Sequence, residues 1–195
     1  MRKTLIALAL AAALSGALAA VDTTDTKLLT QPAVSAERVA FVYANDIWTA
    51  DHRGGDVRRL TSGVGVEASP SFSPDGRLVA FSGQYDGNTD VYVVEAGGGL
   101  PRRLTWHPAV DQAMGFTPDG KSVLFGSSRF SATRGYAHLF TVPVAGGEPT
   151  RLEIPYAWDA DISPDGRTIA YCPSPENFTQ WKNYRGGRFS RIWLF

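Results

Sequence analysis

The stretch Phe72-Ser73-Pro74-Asp75-Gly76-Arg77-Leu78-Val79-Ala80-Phe81 is the pattern from which the fold is predicted. It recurs with the same character at residues 116–125 and 162–171. The three Pro-Asp-Gly turns begin at positions 74, 118 and 164, which are 44 and then 46 residues apart. A repeat with a period of about 20–50 residues is typical of stacked supersecondary units. We therefore read the chain as a repeat protein.

Each copy contains the residues of a tight turn. Proline sets φ for one turn position, aspartate can bond the neighbouring backbone, and glycine adopts positive φ without steric cost. We interpret the repeated aspartates as turn formers and not as a catalytic carboxylate pair, because successive repeats hold them apart. The residues assigned to structural turns are Asp75, Gly76, Asp119, Gly120, Asp165 and Gly166.

The residues after each turn complete a unit of four short strands. An apolar run leaves the turn, a strand with an aromatic residue follows (Trp48, Tyr92 and Phe140), and a glycine pair leads into Arg-Leu. Four antiparallel strands in a unit of about 44 residues predict an all-β fold, a β-propeller of four-stranded blades. A β-sandwich of short strands is the alternative, and the long internal period favours the propeller.

The chain is predicted to begin with an export signal. Arg2 and Lys3 precede an apolar run at 5–14, and small residues follow at 17–19. We assign residues 1–19 to a signal peptide, with a membrane anchor as the alternative, and expect a periplasmic or secreted protein. No contact with the membrane beyond export is expected.

The remaining residues divide into a lead-in and a partial propeller. Residues 20–36 are expected to form a linker or a lead-in strand, and residues 37–195 the propeller. The predicted blades span 38–61, 67–105, 111–152 and 158–195. We expect the first unit to lack an inner strand of its own and the last to stop in its third strand. Because propellers close with typically 4–8 blades, these three and a half predict an N-terminal fragment of a longer protein.

Composition and spacing argue against several kinds of site. The 19 basic and 19 acidic residues balance, and without a basic patch we expect no nucleic-acid partner. The single cysteine, Cys172, excludes an internal disulfide and is interpreted as a small core residue. His52, His107 and His138 have no spacing typical of a catalytic triad or a metal site, so we expect no metal and no cofactor.

The repeats resemble those of TolB-like proteins and, more specifically, of tricorn proteases. The residues that carry the resemblance are 38–48, 81–88 and, above all, the insertion at 181–187, which regular TolB repeats lack. The resemblance implies the first, six-bladed propeller of a serine peptidase, with PDZ-like and catalytic domains downstream. No catalytic residue can be assigned within this sequence. The alternative is a non-enzymatic TolB-like periplasmic propeller that binds a protein partner.

The resemblance also implies partners. Peptides or unfolded protein segments would pass through the propeller, which would pack against downstream domains of the same chain and allow a homo-oligomer. The inner strands are predicted to line the channel, with Asp111, Trp158, Asp159 and Asp161 as the polar and aromatic candidates. The alternative is that these side chains only solvate a narrow channel.

The aromatic-rich insertion at 173–190 is a second candidate region. It is longer than an ordinary blade hairpin, so it is expected to pack on a neighbouring domain or to rim the channel; the alternative is that it only covers its own blade. The interface candidates are Trp181, Lys182, Tyr184 and Arg185.

Overall fold

The computed structural model describes residues 28–131, 136–175 and 191–195, and within them the chain forms strands and turns only. The predicted signal peptide lies outside the described residues. The part of the chain that the structure describes has no helix of the length and apolar character needed to cross a bilayer. The strands are β1 Thr30–Val34, β2 Arg38–Tyr43, β3 Asp46–Asp51, β4 Arg58–Arg59, β5 Val66–Phe72, β6 Leu78–Tyr85, β7 Asn88–Glu95, β8 Arg102–Arg103, β9 Asp111–Phe116, β10 Ser122–Ser127, β11 His138–Pro143, β12 Thr150–Arg151, β13 Asp159–Ile162, β14 Ile169–Cys172 and β15 Trp193–Leu194.

The strands form successive antiparallel sheets in which sequence neighbours are hydrogen-bonded neighbours. Three sheets have four strands, in the orders β1-β2-β3-β4, β5-β6-β7-β8 and β9-β10-β11-β12, and the fourth contains β13-β14-β15. The first strands of successive sheets contact one another, so they form the inner side of the assembly. This arrangement confirms the prediction of an incomplete all-β propeller.

The first sheet contains an inner strand, and the expectation that it would lack one is wrong. Strand β1 pairs antiparallel with β2, joining Thr30 to Val42 and Val34 to Val39. Its sequence, Thr-Gln-Pro-Ala-Val, does not alternate between apolar and polar residues, and its side chains are mostly exposed. The pairing is interrupted by an irregularity between Thr30 and Ala33, where Gln31 has a φ of 51°. Such a bulge removes the period of two by which a strand is normally recognised.

The core consists of apolar layers between adjacent sheets. Along β6, Val79 and Phe81 pack toward the first sheet, whereas Ala80 between them packs toward the third. The layer between the third and fourth sheets contains Leu139 and Tyr171. Complete burial of a large apolar side chain such as Phe81 stabilises the fold by about 1.5–3 kcal/mol. Each sheet therefore depends on its neighbours for stability.

The strand directions give the assembly two distinct ends. We call one the turn end, because it carries the Pro-Asp-Gly and Gly-Gly turns. We call the other the connection end; it carries the hairpins β2–β3, β6–β7 and β10–β11 and the links from each sheet to the next.

The three Pro-Asp-Gly turns have the same hydrogen-bonded geometry. Asp75 Oδ1 accepts a hydrogen bond from Ser73 Oγ at 2.6 Å and one from the Arg77 N–H at 3.1 Å. Thr117 and Ser163 donate in the same way, each at 2.6 Å, to Asp119 and Asp165. The three glycines, Gly76, Gly120 and Gly166, have φ of 70°, 69° and 70°. These residues therefore build the turns in which they occur.

Candidate functional site

A cleft of about 580 Å³ lies along the inner strands of the second, third and fourth sheets. Strand β5 contributes Ser69 and Pro70, and β9 contributes Gln112 and Met114. Trp158 and Asp159, at the start of β13, form the facing side. Each of these inner strands is the edge strand of its sheet, so one side of its backbone is not engaged in sheet pairing.

The alternation of β13 places two carboxylates on its exposed side. Ala160 and Ile162 pack into the layer against the third sheet, and Asp159 and Asp161 therefore point the other way. One oxygen of each carboxylate accepts the N–H of the following residue, at 2.9 Å for Asp159 and 2.8 Å for Asp161. Within the described residues no side chain donates to the second oxygen of either group. Among the described residues, one oxygen of each carboxylate is therefore left without a side-chain donor, and Asp159 lines the cleft.

Trp158 is held by its backbone and exposes its ring. Its N–H donates to the Cys172 carbonyl at 2.7 Å, which fixes the start of the inner strand. Its side chain is 43 % exposed, and it lines the cleft next to Asp159. An indole in this position can contact apolar groups and can also donate one hydrogen bond.

Asp111 does not line an open channel, which corrects its assignment as a candidate. It is 0 % exposed within the described residues, and further blades could only bury it more. Its Oδ2 accepts a hydrogen bond from Arg129 Nη2 at 2.5 Å, and that guanidinium lies over the rings of Phe125 and Phe140. Burial raises the pKa of the Asp111 carboxyl, against the lowering effects of Ser127, Thr105 and Arg129. The residue supports the third sheet and is not accessible to a ligand.

The structure therefore brings two of the four channel candidates, Trp158 and Asp159, into one cleft, with Asp161 beside them on β13. Sequence reasoning missed Gln112, which follows the buried Asp111 and points to the opposite side of β9. Alternation along β9 would have identified it once the burial of Asp111 was known. Ser69 and Pro70 could not be found in this way, because the β5–β6 pairing shifts between Ala68 and Ser71.

Cys172 and Ser174 complete the wall of the cleft. Cys172 is half-buried, so its interpretation as a core residue is wrong. Strand β14 ends at this cysteine, and its register with Asp159 places it beside the start of the inner strand β13.

Buried polar groups link the first sheet to the second. Thr61 Oγ1 accepts the Ile47 N–H at 2.8 Å and donates to Glu67 Oε2 at 3.1 Å. Asp46, buried beside them, forms an ion pair with Arg59 at 2.8 Å. Burial raises the pKa of Glu67, because the inter-sheet layer favours its neutral form. These groups join neighbouring sheets and are closed to a ligand.

We call the contact region between two successive sheets a junction. The second junction, between the second and third sheets, and the third junction, between the third and fourth sheets, repeat this arrangement with one change. At the second, Thr105 Oγ1 donates to Asp90 Oδ1 at 3.2 Å, and Arg103 pairs with Asp90 at 2.6 Å. At the third, His138 takes the place of the aspartate, and its Nδ1 lies 3.0 Å from Arg151 Nη2. Burial, and after it the positive charge of Arg151, lowers the pKa of His138. A neutral imidazole therefore accepts the hydrogen bond of the arginine.

The three histidines lie in separate places. His52 Nε2 is 3.0 Å from the Ser35 carbonyl, and His107 Nδ1 accepts the Ala109 N–H at 3.0 Å. Within the described ranges no three His, Cys, Asp or Glu side chains come together in a way that could hold a metal ion. The interface candidates Trp181, Lys182, Tyr184 and Arg185 lie outside the described residues, so the structure does not place them.

The family model of the tricorn protease N-terminal β-propeller domain matches residues 26–195. The chain belongs to the tricorn protease family. Tricorn protease homolog 1 of Streptomyces coelicolor is 32 % identical over 176 residues, which cover 85 % of this chain and 16 % of that protein. The tricorn protease of Thermoplasma acidophilum is 38 % identical over 53 residues, covering 27 % of this chain and 5 % of that protein. The resemblance to tricorn proteases predicted from the repeats is thereby confirmed.

Solved structures agree with this assignment. The crystal structure of the tricorn protease superposes with a TM-score of 0.73 at 25 % identity, covering 86 % of this chain and 17 % of that one. TolB from Acinetobacter baumannii superposes with a TM-score of 0.65 at 27 % identity, covering 78 % of this chain and 39 % of that one. The present chain thus spans only a small part of the length of the tricorn relatives that it matches.

Proposed function

We propose that this chain is the N-terminal propeller of an exported, tricorn-like serine peptidase. It admits peptide substrates and supports assembly, and the catalytic groups lie in other parts of the protein. The observation that carries the proposal is the inner-strand cleft, where Trp158 and Asp159 remain accessible on a propeller of the tricorn family. The apolar start of the sequence supports export.

The chemistry of the cleft suits an extended peptide. The edge strands β5, β9 and β13 offer backbone donors and acceptors to a chain that lies along them. Gln112 can both donate to and accept from a peptide group, and Trp158 offers an aromatic surface to a side chain. A cleft of about 580 Å³ has the size of a site for a short segment.

Peptidase kinetics of the full-length gene product test this proposal. We expect cleavage of long peptides, and Trp158→Ala should raise KM for them about three- to tenfold with little change in kcat, because it removes binding made equally in the ground and transition states. Lys121→Ala, at the exposed turn end, is the matched control and should leave both parameters unchanged. A full-length product that cleaves no peptide and does not react with a fluorophosphonate serine probe would exclude the peptidase.

A second candidate function is a non-enzymatic periplasmic propeller that binds a protein partner. The structural likeness to TolB from Acinetobacter baumannii favours it, with 27 % identity over 78 % of this chain. The serine probe separates the two functions, because only the peptidase should be labelled. Fractionation of cells tests export in either case: we expect the mature protein in the periplasm, with its N-terminus near residue 20.

A further inference from the structure

Exposed aromatic side chains gather at the connection end of the propeller. They lie in the links between sheets and in the β10–β11 hairpin: Trp106, Phe130, Tyr136, Tyr156 and Trp158. Phe130 is 76 % exposed and Trp106 63 %. The described turns at the opposite end contain no aromatic residue and are rich in charged ones, such as Asp119, Lys121 and Glu148. The described turns at the two ends therefore present different chemistry, although the C-terminal Phe195, 60 % exposed, lies beside the third Pro-Asp-Gly turn.

Part of this aromatic surface leads into the inner-strand cleft. The rings of Tyr136 and Tyr156 are 4.9 Å apart between centroids, and that of Tyr156 is 5.7 Å from the imidazole of His138. Trp158 follows Tyr156 by two residues and lines the cleft itself. Aromatic rings supply large contact area with few rotatable bonds, so they lose little entropy when a side chain packs on them. A peptide entering from this end would meet Tyr156 and then Trp158.

Among the described residues, the wall of the cleft carries a negative charge. Asp159 is the one ionisable carboxylate or cation among the described residues of its wall, and Asp161 lies two residues further along the same side of β13. In the third sheet the guanidiniums of Arg129 and Arg151 are engaged by Asp111 and His138, and neither lines the cleft. Charges act more strongly in a cleft than in open water, since less solvent screens them. The site should therefore attract a positive group and repel a carboxylate.

We infer that this cleft selects peptide segments in which an apolar or aromatic side chain lies next to a positive charge. The apolar side chain packs on Trp158, and the cation, either an N-terminal amine or the side chain of Lys or Arg, pairs with Asp159. The inference rests on the proposed function, peptide admission through the propeller, and adds the class of peptide that is admitted. Trp158 and Asp159 are its specificity-determining residues.

Fluorescence anisotropy with labelled decapeptides and the full-length gene product tests the inference. The peptides differ only at a central pair, Trp-Lys, Trp-Gln, Trp-Glu or Ser-Lys, and each is made with a free and an acetylated N-terminus. We expect Trp-Lys to bind about tenfold more tightly than Trp-Gln, the strength of one charge-assisted hydrogen bond, and Trp-Glu to bind most weakly. The acetylated series shows whether the side chain alone suffices, and the preference for charge should shrink at high salt.

Variants assign the preference to its residues. Asp159→Asn should abolish the difference between Trp-Lys and Trp-Gln, whereas Asp159→Glu should keep it and thereby show that the site is still folded. Trp158→Ala should abolish the difference between Trp-Lys and Ser-Lys. Glu148→Gln, which makes the same charge change at the turn end, should alter neither.

The outcomes separate this inference from the proposed function. If peptides bind regardless of charge and aromatic content, or if Asp159→Asn keeps the preference, the inference is wrong and peptide admission stands. If none of the peptides binds, peptide admission is wrong and the inference falls with it.

Discussion

Asp75, Asp119 and Asp165 show how single residues set the repeat. In each turn a Ser or Thr hydroxyl and a following N–H donate to one carboxylate oxygen, and both interactions lower the pKa of that carboxyl. Because these pKa values are lower in the folded protein than in the unfolded chain, the stability that the turns contribute is present above the ordinary carboxyl pKa of 3.8. This stability is lost as the pH falls through the pKa of the carboxyl in the folded protein. The aspartates therefore make the turns sensitive to acid.

Gly76 provides a test at this scale. Its φ of 70° lies in the left-handed region, and the nearest atom to an added Cβ would be Ser35 Cβ at 3.5 Å, an ordinary contact. Gly76→Ala should therefore destabilise the protein by about 1–2 kcal/mol through backbone strain alone. Gly97→Ala, in the same sheet at an open position outside the left-handed region, is the control and should be nearly neutral. Denaturant titration of the two variants measures the difference, and equal stabilities would contradict the strain argument.

The residue scale also shows where prediction from sequence succeeds and fails. The Asp-Gly turns could be predicted because their geometry is local and each residue has a clear conformational role. The burial of Asp111 could not, because its partner Arg129 lies 18 residues away across a hairpin whose register the sequence does not reveal. Trp158 and Asp159 were predicted for the site, but the neighbours that shape the cleft depend on the bulge in β5.

At the scale of elements, the junctions between sheets are similar but not equivalent. The first two place an Asp–Arg ion pair beside a buried threonine, and the third places His138 against Arg151. The ring of His138 also lies against Tyr156, on the link that leads to the fourth sheet. Protonation of His138 would place two positive charges together and remove the acceptor of the arginine. The third junction should therefore respond to mild acid.

The sign of that response follows from the pKa of His138, which is lowered from 6.5 in the folded protein. The unfolded chain binds the proton more readily, so the stability that His138 contributes is complete above pH 6.5 and is lost as the pH falls through the folded pKa. Hydrogen exchange, corrected for intrinsic rates, should become severalfold faster in β11 and β13 at pH 5.5 than at pH 7.5.

His138→Asp should remove most of this acid sensitivity, because it restores the ion pair of the other two junctions. His52→Gln, which changes a histidine on the first sheet, should leave the sensitivity of the third junction in place. The explanation fails if His138→Asp and the unmodified protein lose protection equally on acidification.

A strand could be predicted from the sequence where its residues alternate between apolar and polar, or where its segment recurs with the period of the repeat. Strands β6, β7 and β10 follow turn signals and carry apolar runs, so their existence followed from the period. Strand β1 has neither property, and its position is set by pairing with β2 across an irregular register. A strand of this kind is determined by its pairing with a partner strand, and that pairing cannot be read from the sequence alone.

At the scale of the whole molecule, one apolar surface has no neighbour among the described residues. The outer face of the first sheet forms a cleft of about 850 Å³, lined by Phe41, Trp48 and Val57 among others. In a propeller every sheet packs against two neighbours, so we expect a further sheet of the intact protein to cover this face.

Phe41→Glu in the full-length gene product tests this expectation. A charge buried between two sheets should lower the free energy of unfolding by about 2–4 kcal/mol, as a loss of both packing and hydration. Val34→Glu, at an exposed position at the end of β1, is the control and should have little effect. If Phe41→Glu is tolerated as well as Val34→Glu, this face of the first sheet is open to solvent in the intact protein.

The first sheet takes its four strands from one continuous segment, residues 30–59, and this bears on how the protein is made. No described strand of that sheet has to wait for a segment from the far end of the chain, so its hydrogen bonds can form before the rest of the protein is present. Each later sheet can then add to an already folded surface, since domains and their parts tend to fold N-terminal first during synthesis. The order of the sheets along the chain can thus become the order of their assembly.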